Sequence, residues 1–162
     1  MSGFVSLPPA ADAQPPATTT PDIVQGDGWF PDINLVALRD AYRLDTTVTP
    51  ERLRNAVRDA MVDVAGELAE WRAAREAEGH ANLTAVPAVQ FGGRSRLLII
   101  YDRAIGSLVS AELADRLLDA TATAAGHDRA DELEEPGCKH RRRYRWAISD
   151  ILGKRRATVE LI

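Results

Sequence analysis

Between Thr49 and Gly79 the apolar residues Leu53, Val57, Ala60, Met61, Val64, Leu68 and Trp71 recur at steps of three and four. That is the period of one helix face, and it constrains the fold more than any other feature of the chain. Thr49 is placed to cap the helix. Pro50 fits its first position, where the missing N–H would have had no partner anyway. The pattern predicts one uninterrupted helix from Pro50 to Glu78, closed by Gly79 in the left-handed conformation. At 1.5 Å per residue it would be a rod of about 45 Å. A rod with a single apolar stripe must bury it against other helices, so the expected architecture is mainly α, an antiparallel helical bundle.

The remaining segments fit that class. Pro31 follows the aromatic pair Trp29–Phe30 and reads as the first residue of a short helix to Leu44, with Ile33, Val36, Ala37, Leu38 and Ala41 as its apolar stripe. His80 to Gly93 reads as a loop, with Pro87 and Gly92–Gly93 in it. Ser95 is a candidate cap for a helix from Arg96 to Ala125, whose wide stripe runs Leu97, Leu98, Tyr101, Ala104, Ile105, Leu108, Ala111, Leu117 and Leu118. A last helical region spans Asp128 to Leu152, but Pro136–Gly137 lies inside it and predicts a break or kink. Beyond the break, Tyr144, Ala147, Ile148, Ile151 and Leu152 share one face.

The two ends read differently. Pro8, Pro9, Pro15 and Pro16 exclude a helix near the N-terminus. Residues 1–28 are therefore expected to form a flexible arm, with Leu7, Ile23 and Val24 as its possible anchors. Residues 29–156 make the helical body, and Ala157 to Ile162 an extended C-terminal tail.

With 162 residues, 45% hydrophobic and 27% charged, the chain has the composition of one ordinary globular domain. The net charge of −4 gives no overall drive toward nucleic acid or membrane. The longest apolar run, Leu97 to Ile100, is far short of a membrane span, and no export signal is expected, since Pro8, Pro9, Pro15 and Pro16 stand where one would need a basic start and an apolar helix. One cysteine, Cys138, excludes an internal disulfide.

Catalytic chemistry finds little support. The histidines His80, His127 and His140 have no partner at metal-ligand spacing, and Cys138 near His140 is too small a set for zinc. There is no G-x-S-x-G. Cys138 has Lys139 and Arg141 nearby, yet reads as a surface thiol. The strongest enzymatic alternative is Glu67 and Glu70, an E-x-x-E that could hold Mg²⁺ with Asp115 and Asp119, as in all-α nucleotide pyrophosphohydrolases. Against it, Arg72 and Arg75 make an ordinary solvated helix face. Asn82–Leu83–Thr84 matches a glycosylation acceptor and is read as chance. The clearest charge feature is basic: Lys139, Arg141, Arg142, Arg143 and Arg145, then Lys154, Arg155 and Arg156. It follows directly on Asp131, Glu132, Glu134 and Glu135. Such a face could meet phosphates or an acidic protein.

Seven stretches then fall in a recognisable order: FPDI (Phe30 to Ile33), RL (Arg43–Leu44), TPERLRNAV (Thr49 to Val57), ELAEWR (Glu67 to Arg72), LTAVPA (Leu83 to Ala88), YDRAI (Tyr101 to Ile105) and RWAISDI (Arg145 to Ile151). In this the chain resembles the head completion protein of temperate contractile-tailed phages, the L-protein family. One departure is Pro136–Gly137, where the family reads as a continuous final helix. The resemblance implies a non-enzymatic virion component, with no cofactor, that completes the DNA-filled head at the portal vertex and prepares it for the tail. Its implied partners are the portal protein, neighbouring copies in a ring (roughly twelve for portal-bound connectors), tail-completion or tail terminator proteins, and packaged DNA. The residues expected to meet partners are Trp29, Phe30, Pro31, Asp32, Arg141, Arg142, Arg143, Arg145 and Trp146, with Val159 and Leu161 in the tail.

Overall fold

The computed structural model describes residues 22–121 and 136–155. The chain is mainly helical, as the periodicity predicts. Two short strands open it, β1 (Ile23–Val24) and β2 (Ile33–Asn34), paired antiparallel with Val24 opposite Ile33. Then come α1 (Leu35–Tyr42), α2 (Pro50–Glu67), α3 (Ala69–Ala77), a 3₁₀ turn at Leu83–Ala85, a hairpin of β3 (Gln90–Phe91) and β4 (Arg94–Ser95), α4 (Arg96–Thr121) and α5 (Pro136–Ile151).

Several boundaries differ from the sequence reading, each for a local reason. Pro31 is not helical. The first helix starts only after Asn34, whose side-chain oxygen accepts the Ala37 N–H at 3.0 Å as an N-cap. Its buried face is Leu35 and Leu38, whereas Val36, Ala37 and Ala41 are exposed. Ile23 and Val24 are already paired with β2, and the Leu35 N–H donates to the Asp22 carbonyl at 2.7 Å. The folded body thus begins ahead of the boundary expected at residue 28.

The long rod is bent. Thr49 caps it as expected, its hydroxyl accepting from the Arg52 N–H at 3.3 Å, but α2 ends at Glu67 and α3 resumes at Ala69. Leu68 sits between them at ψ 4° and is fully buried. The bonds Leu68 N–H to Val64 O (3.0 Å) and Arg72 N–H to Leu68 O (2.8 Å) carry the ladder through the bend. Gly66, two residues earlier, weakens the helix locally. Seating Leu68 in the core, at about 1.5–3 kcal/mol for a buried aliphatic side chain, offsets the distortion.

The expected loop carries structure. The Asn82 side chain accepts from the Ala85 N–H at 2.9 Å and so caps the 3₁₀ turn. Gly92 and Gly93, at φ +57° and +75°, make the two-residue hairpin turn that needs positive φ at both positions. Ser95 lies in β4 with its hydroxyl buried and unpartnered, so it does not cap α4.

The core gathers on α4. Leu97, Ile100, Tyr101, Ala104, Ile105 and Val109 are buried against Leu53, Val57, Ala60 and Val64 of α2 and Tyr144, Ala147, Ile148 and Ile151 of α5. The ion pairs Arg103–Asp150 and Arg141–Asp115 run in opposite order along the two helices, so α4 and α5 are antiparallel. Pro136 and Gly137 are the first described residues of α5, and the segment before them, where the expected break would show, lies outside the described residues. The helical extensions expected at residues 122–125 and 128–135 lie outside the described residues, as do the arm through residue 21 and the tail, including Val159 and Leu161.

Candidate interaction surface

Trp29 and Phe30 turn into the core of the subunit. Each is 4% exposed. Phe30 stacks on Tyr101 with ring centroids 5.1 Å apart, and Trp29 packs edge-on against Phe30 (4.8 Å) and Trp71 (5.8 Å). The backbone explains why the pair turns inward. Asp27 Oδ1 accepts the N–H groups of Trp29 (3.0 Å) and Phe30 (2.8 Å), folding the segment back on itself. Asp32, another predicted contact, is used locally as well: its Oδ1 accepts the Gly26 N–H at 2.8 Å. Pro31 is half-buried. A Cβ on Gly26 would lie 2.1 Å from the Phe30 carbonyl oxygen, so the turn closes only around glycine.

Arg72 locks this knot from outside. It pairs with Asp27 Oδ2 and with Glu76 (2.7 Å), and its guanidinium lies 5.3 Å over the Trp29 ring. The Asp27 carboxyl is held below the usual carboxylate range. Partial burial pulls it upward, and the Phe30 N–H, Arg72 and the Trp29 N–H together outweigh that pull.

The basic run does form a surface, on α5. Tyr144, Ala147, Ile148 and Ile151 turn inward, leaving Arg142, Arg143 and Arg145 exposed on the rest of the helix. Arg141 lies on one flank of the buried stripe and pairs with Asp115 of α4. Arg143, two residues on and so about 200° around the helix, lies on the other flank. There Tyr42, Arg103, Ser107, Arg143 and Trp146 line a cleft of about 320 Å³. Arg142 stacks over Trp146 at 5.5 Å. Among the described residues Arg143 and Arg145 take part in no ion pair, and Arg103 has only a long contact, 3.9 Å, with Asp150. His140 is pushed below the ordinary histidine range by burial and then by Arg143.

Sequence reasoning placed α5 on the surface but missed Tyr42 and Arg103, which reach the same cleft from α1 and α4. The available signal was Arg103 itself, one of two charges, with Asp102, in the mostly apolar stretch Leu97 to Ala111.

Among the described residues, two carboxylates of the enzymatic alternative are engaged elsewhere. Glu67 and Glu70 stand on either side of the bend at Leu68, and Glu67 accepts the Tyr144 hydroxyl at 2.8 Å. Asp115 is engaged by Arg141, and the Asp119 side chain lies outside the described residues. No three His, Cys, Asp or Glu side chains converge as a metal site among the described residues. His80 lies 3.6 Å from Glu78, Cys138 is exposed, and no described helix is long and apolar enough to cross a membrane.

Comparison with known proteins gives a consistent result. A family model described as phage head completion protein (GPL) matches residues 24–162. The head completion/stabilization protein of Escherichia phage P2 is 33% identical over 160 residues, covering 99% of this chain and 90% of the P2 protein. No solved structure matches the chain.

Proposed function

The chain belongs to the family of phage head completion proteins, and from that premise we propose that it docks on the portal vertex of a filled head, as one subunit of a ring, and so readies the head for the tail. Head completion is a structural role in the virion, and the finer assignment concerns where and how it is performed. The observation that carries it is the outer face of α5. Exposed Arg143 and Arg145, outside any ion pair among the described residues, offer charge that the monomer does not consume. A surface of that kind is suited to a large acidic partner, because exposed unpaired charges steer association without stabilising the fold.

In this reading α5 faces the portal or a neighbouring copy, and the N-terminal segment ahead of β1 and residues 157–162 supply further contacts. Head-to-tail contacts between identical subunits close into a ring when the rotation fits, a dodecamer in the portal-bound case. Tail-completion or tail terminator proteins would meet the exposed side of that ring. Co-sedimentation of the purified chain with portal protein and with filled heads tests the assignment. Binding to both, lost in an Arg143→Glu/Arg145→Glu variant, is the expected result. Failure to bind either where tails normally join would refute it. Packaged DNA is a further contact for the same arginines. It predicts a binding constant for duplex DNA that falls steeply between low and moderate salt, since phosphate contacts release counterions.

A further inference from the structure

Among the described residues five large hydrophobic side chains stand exposed, Ile23, Val36, Val62, Val89 and Phe91, and four of them make two patches. Ile23 (46% exposed) and Val62 (71%) stand on the two walls of a groove of about 880 Å³ between β1 and α2, with Met61 and Ala65 beside Val62. Val89 (66%) and Phe91 (58%) stand on the β3–β4 hairpin. Apolar groups exposed in sets, and rimmed by polar ones, mark contact surfaces. One patch is a hollow and the other a projection.

Their charges match as well. In the hairpin Gln90 lies opposite Ser95 and Phe91 opposite Arg94. Side chains alternate along a strand, and directly opposite residues share a face. Ser95 is buried, so its face turns to the core. Val89, Phe91, Arg94 and Arg96 take the outer face, all exposed, and the Arg96 N–H extends the pairing by donating to the Val89 carbonyl at 2.9 Å. Arg94 is engaged by Asp102, but Arg96 enters no ion pair among the described residues. On the β1 side of the groove stands Asp32, exposed, with one carboxylate oxygen on the Gly26 N–H and no ion pair among the described residues. On the α2 side stands Arg58, also outside any such pair. The carbonyls of the Gly92–Gly93 turn, which no side chain shields, are acceptors for it. We propose that the groove of one copy receives the β3–β4 hairpin of another, with Val89 and Phe91 packed on Ile23 and Val62 and with Arg96 meeting Asp32. Each copy offers both surfaces, so the contact is heterologous, the kind that closes into a ring. It supplies the ring reading with its contact between copies and rests on that reading for its role, but not on portal docking. One hairpin in one groove is a small interface of the transient class, filled when copies are crowded together.

Cross-linking between differently marked copies tests it. The full chain is used with Cys138→Ser, since Cys138 is exposed and would react. One protein carries Val62→Cys and the other, with a tag that separates products by mass, carries Phe91→Cys. Both positions are more than half exposed, so neither change threatens the fold. The two are mixed in equal amounts at high concentration and treated with a short bis-maleimide. The mixed product should exceed the two like-with-like products combined severalfold. A mixed product no greater than that sum overturns the proposal. Val36→Cys, exposed but outside both patches, replaces Val62→Cys as the control and should show no excess; an equal excess there overturns the proposal too. Arg96→Glu in the Phe91→Cys protein should cut the excess severalfold, and an unchanged excess would overturn the assigned seating of the hairpin. The same reaction on filled heads separates this contact from the portal reading. Chains that bind heads yet give no mixed excess, free or bound, lose the contact and leave the ring reading standing. Chains that give the excess but bind no heads keep the contact and lose portal docking.

Discussion

Arg72 over Trp29 and Arg142 over Trp146 are the same chemical pair at nearly the same separation, 5.3 Å and 5.5 Å, in opposite surroundings. Trp29 is 4% exposed and belongs to a cluster with Phe30, Trp71 and Tyr101. Trp146 is half-exposed on a cleft of about 320 Å³. In the first pair the arginine closes a core and is itself held by Asp27 and Glu76. In the second the arginine stands beside Arg143 and Arg145, which take part in no ion pair among the described residues. One arrangement is a clasp within the subunit, and the other is surface left for something else. The comparison can be broken by perturbing each side and asking whether stability or association responds.

The largest effect belongs to the clasp. Phe30→Ala removes the ring stacked on Tyr101 and opens a cavity between β2 and α4, and it should cost about 3–5 kcal/mol of unfolding free energy. Urea unfolding followed by tryptophan fluorescence measures it. A loss below about 1 kcal/mol would mean that Phe30 is a surface residue after all. Gly26→Ala comes next. Its Cβ would meet the Phe30 carbonyl oxygen at 2.1 Å, and backbone cannot step aside as a side-chain end can, so the strain should cost about 1–3 kcal/mol.

These residues also show what could be read in advance and what could not. Period and spacing located Leu53, Val57, Ala60 and Val64 on α2, Leu68 just past its end, and Tyr144, Ala147, Ile148 and Ile151 on α5, because a helix face is a property of neighbouring residues alone. The inward turn of Trp29–Phe30 was not legible. It depends on Asp27 accepting two backbone N–H groups and on Arg72, 45 residues away, completing the pair. The bend at Leu68 was hidden likewise: Gly66 is a weak local signal, and the bend falls where Leu68 packs into the core. On the surface, the α5 arginines were visible as a run, but their cleft needs Tyr42 and Arg103 from two other helices.

A smaller, pH-dependent effect sharpens the description of the clasp. Asp27 has its folded pKa lowered, so it contributes stability that is fully present above the unfolded value near 3.8 and is lost as pH falls through the folded value. Asp27→Asn keeps an oxygen for the two backbone N–H groups but gives up the charge facing Arg72. For a partly exposed pair it should cost about 0.2–1 kcal/mol at neutral pH. Below pH 4 the difference between variant and parent should shrink, because the parent's own carboxyl is then being protonated. Thermal melts at pH 7, 4 and 3 follow this. A gap that widens on acidification would give the shift the opposite sign.

The smallest effect on stability is expected where the consequence for assembly is greatest. Arg143 and Arg145 are exposed, form no ion pair among the described residues, and lie on the part of α5 that no core residue occupies. Reversing both charges should change unfolding free energy by no more than about 0.5 kcal/mol. A small gain is equally consistent, since Arg143 repels the neighbouring charge of Arg103 across the cleft. Binding to filled heads should fall by an order of magnitude or more if each arginine meets a desolvated carboxylate or phosphate, where removing one partner leaves the other buried and unpaired. Melting and head-binding measurements on the same Arg143→Glu/Arg145→Glu protein separate the two consequences. A variant that loses stability and binding in step would make α5 a second clasp, and the contrast with Trp29 would collapse. A variant that keeps both would leave the α5 arginines as solvated charge and move the search for the docking face off α5.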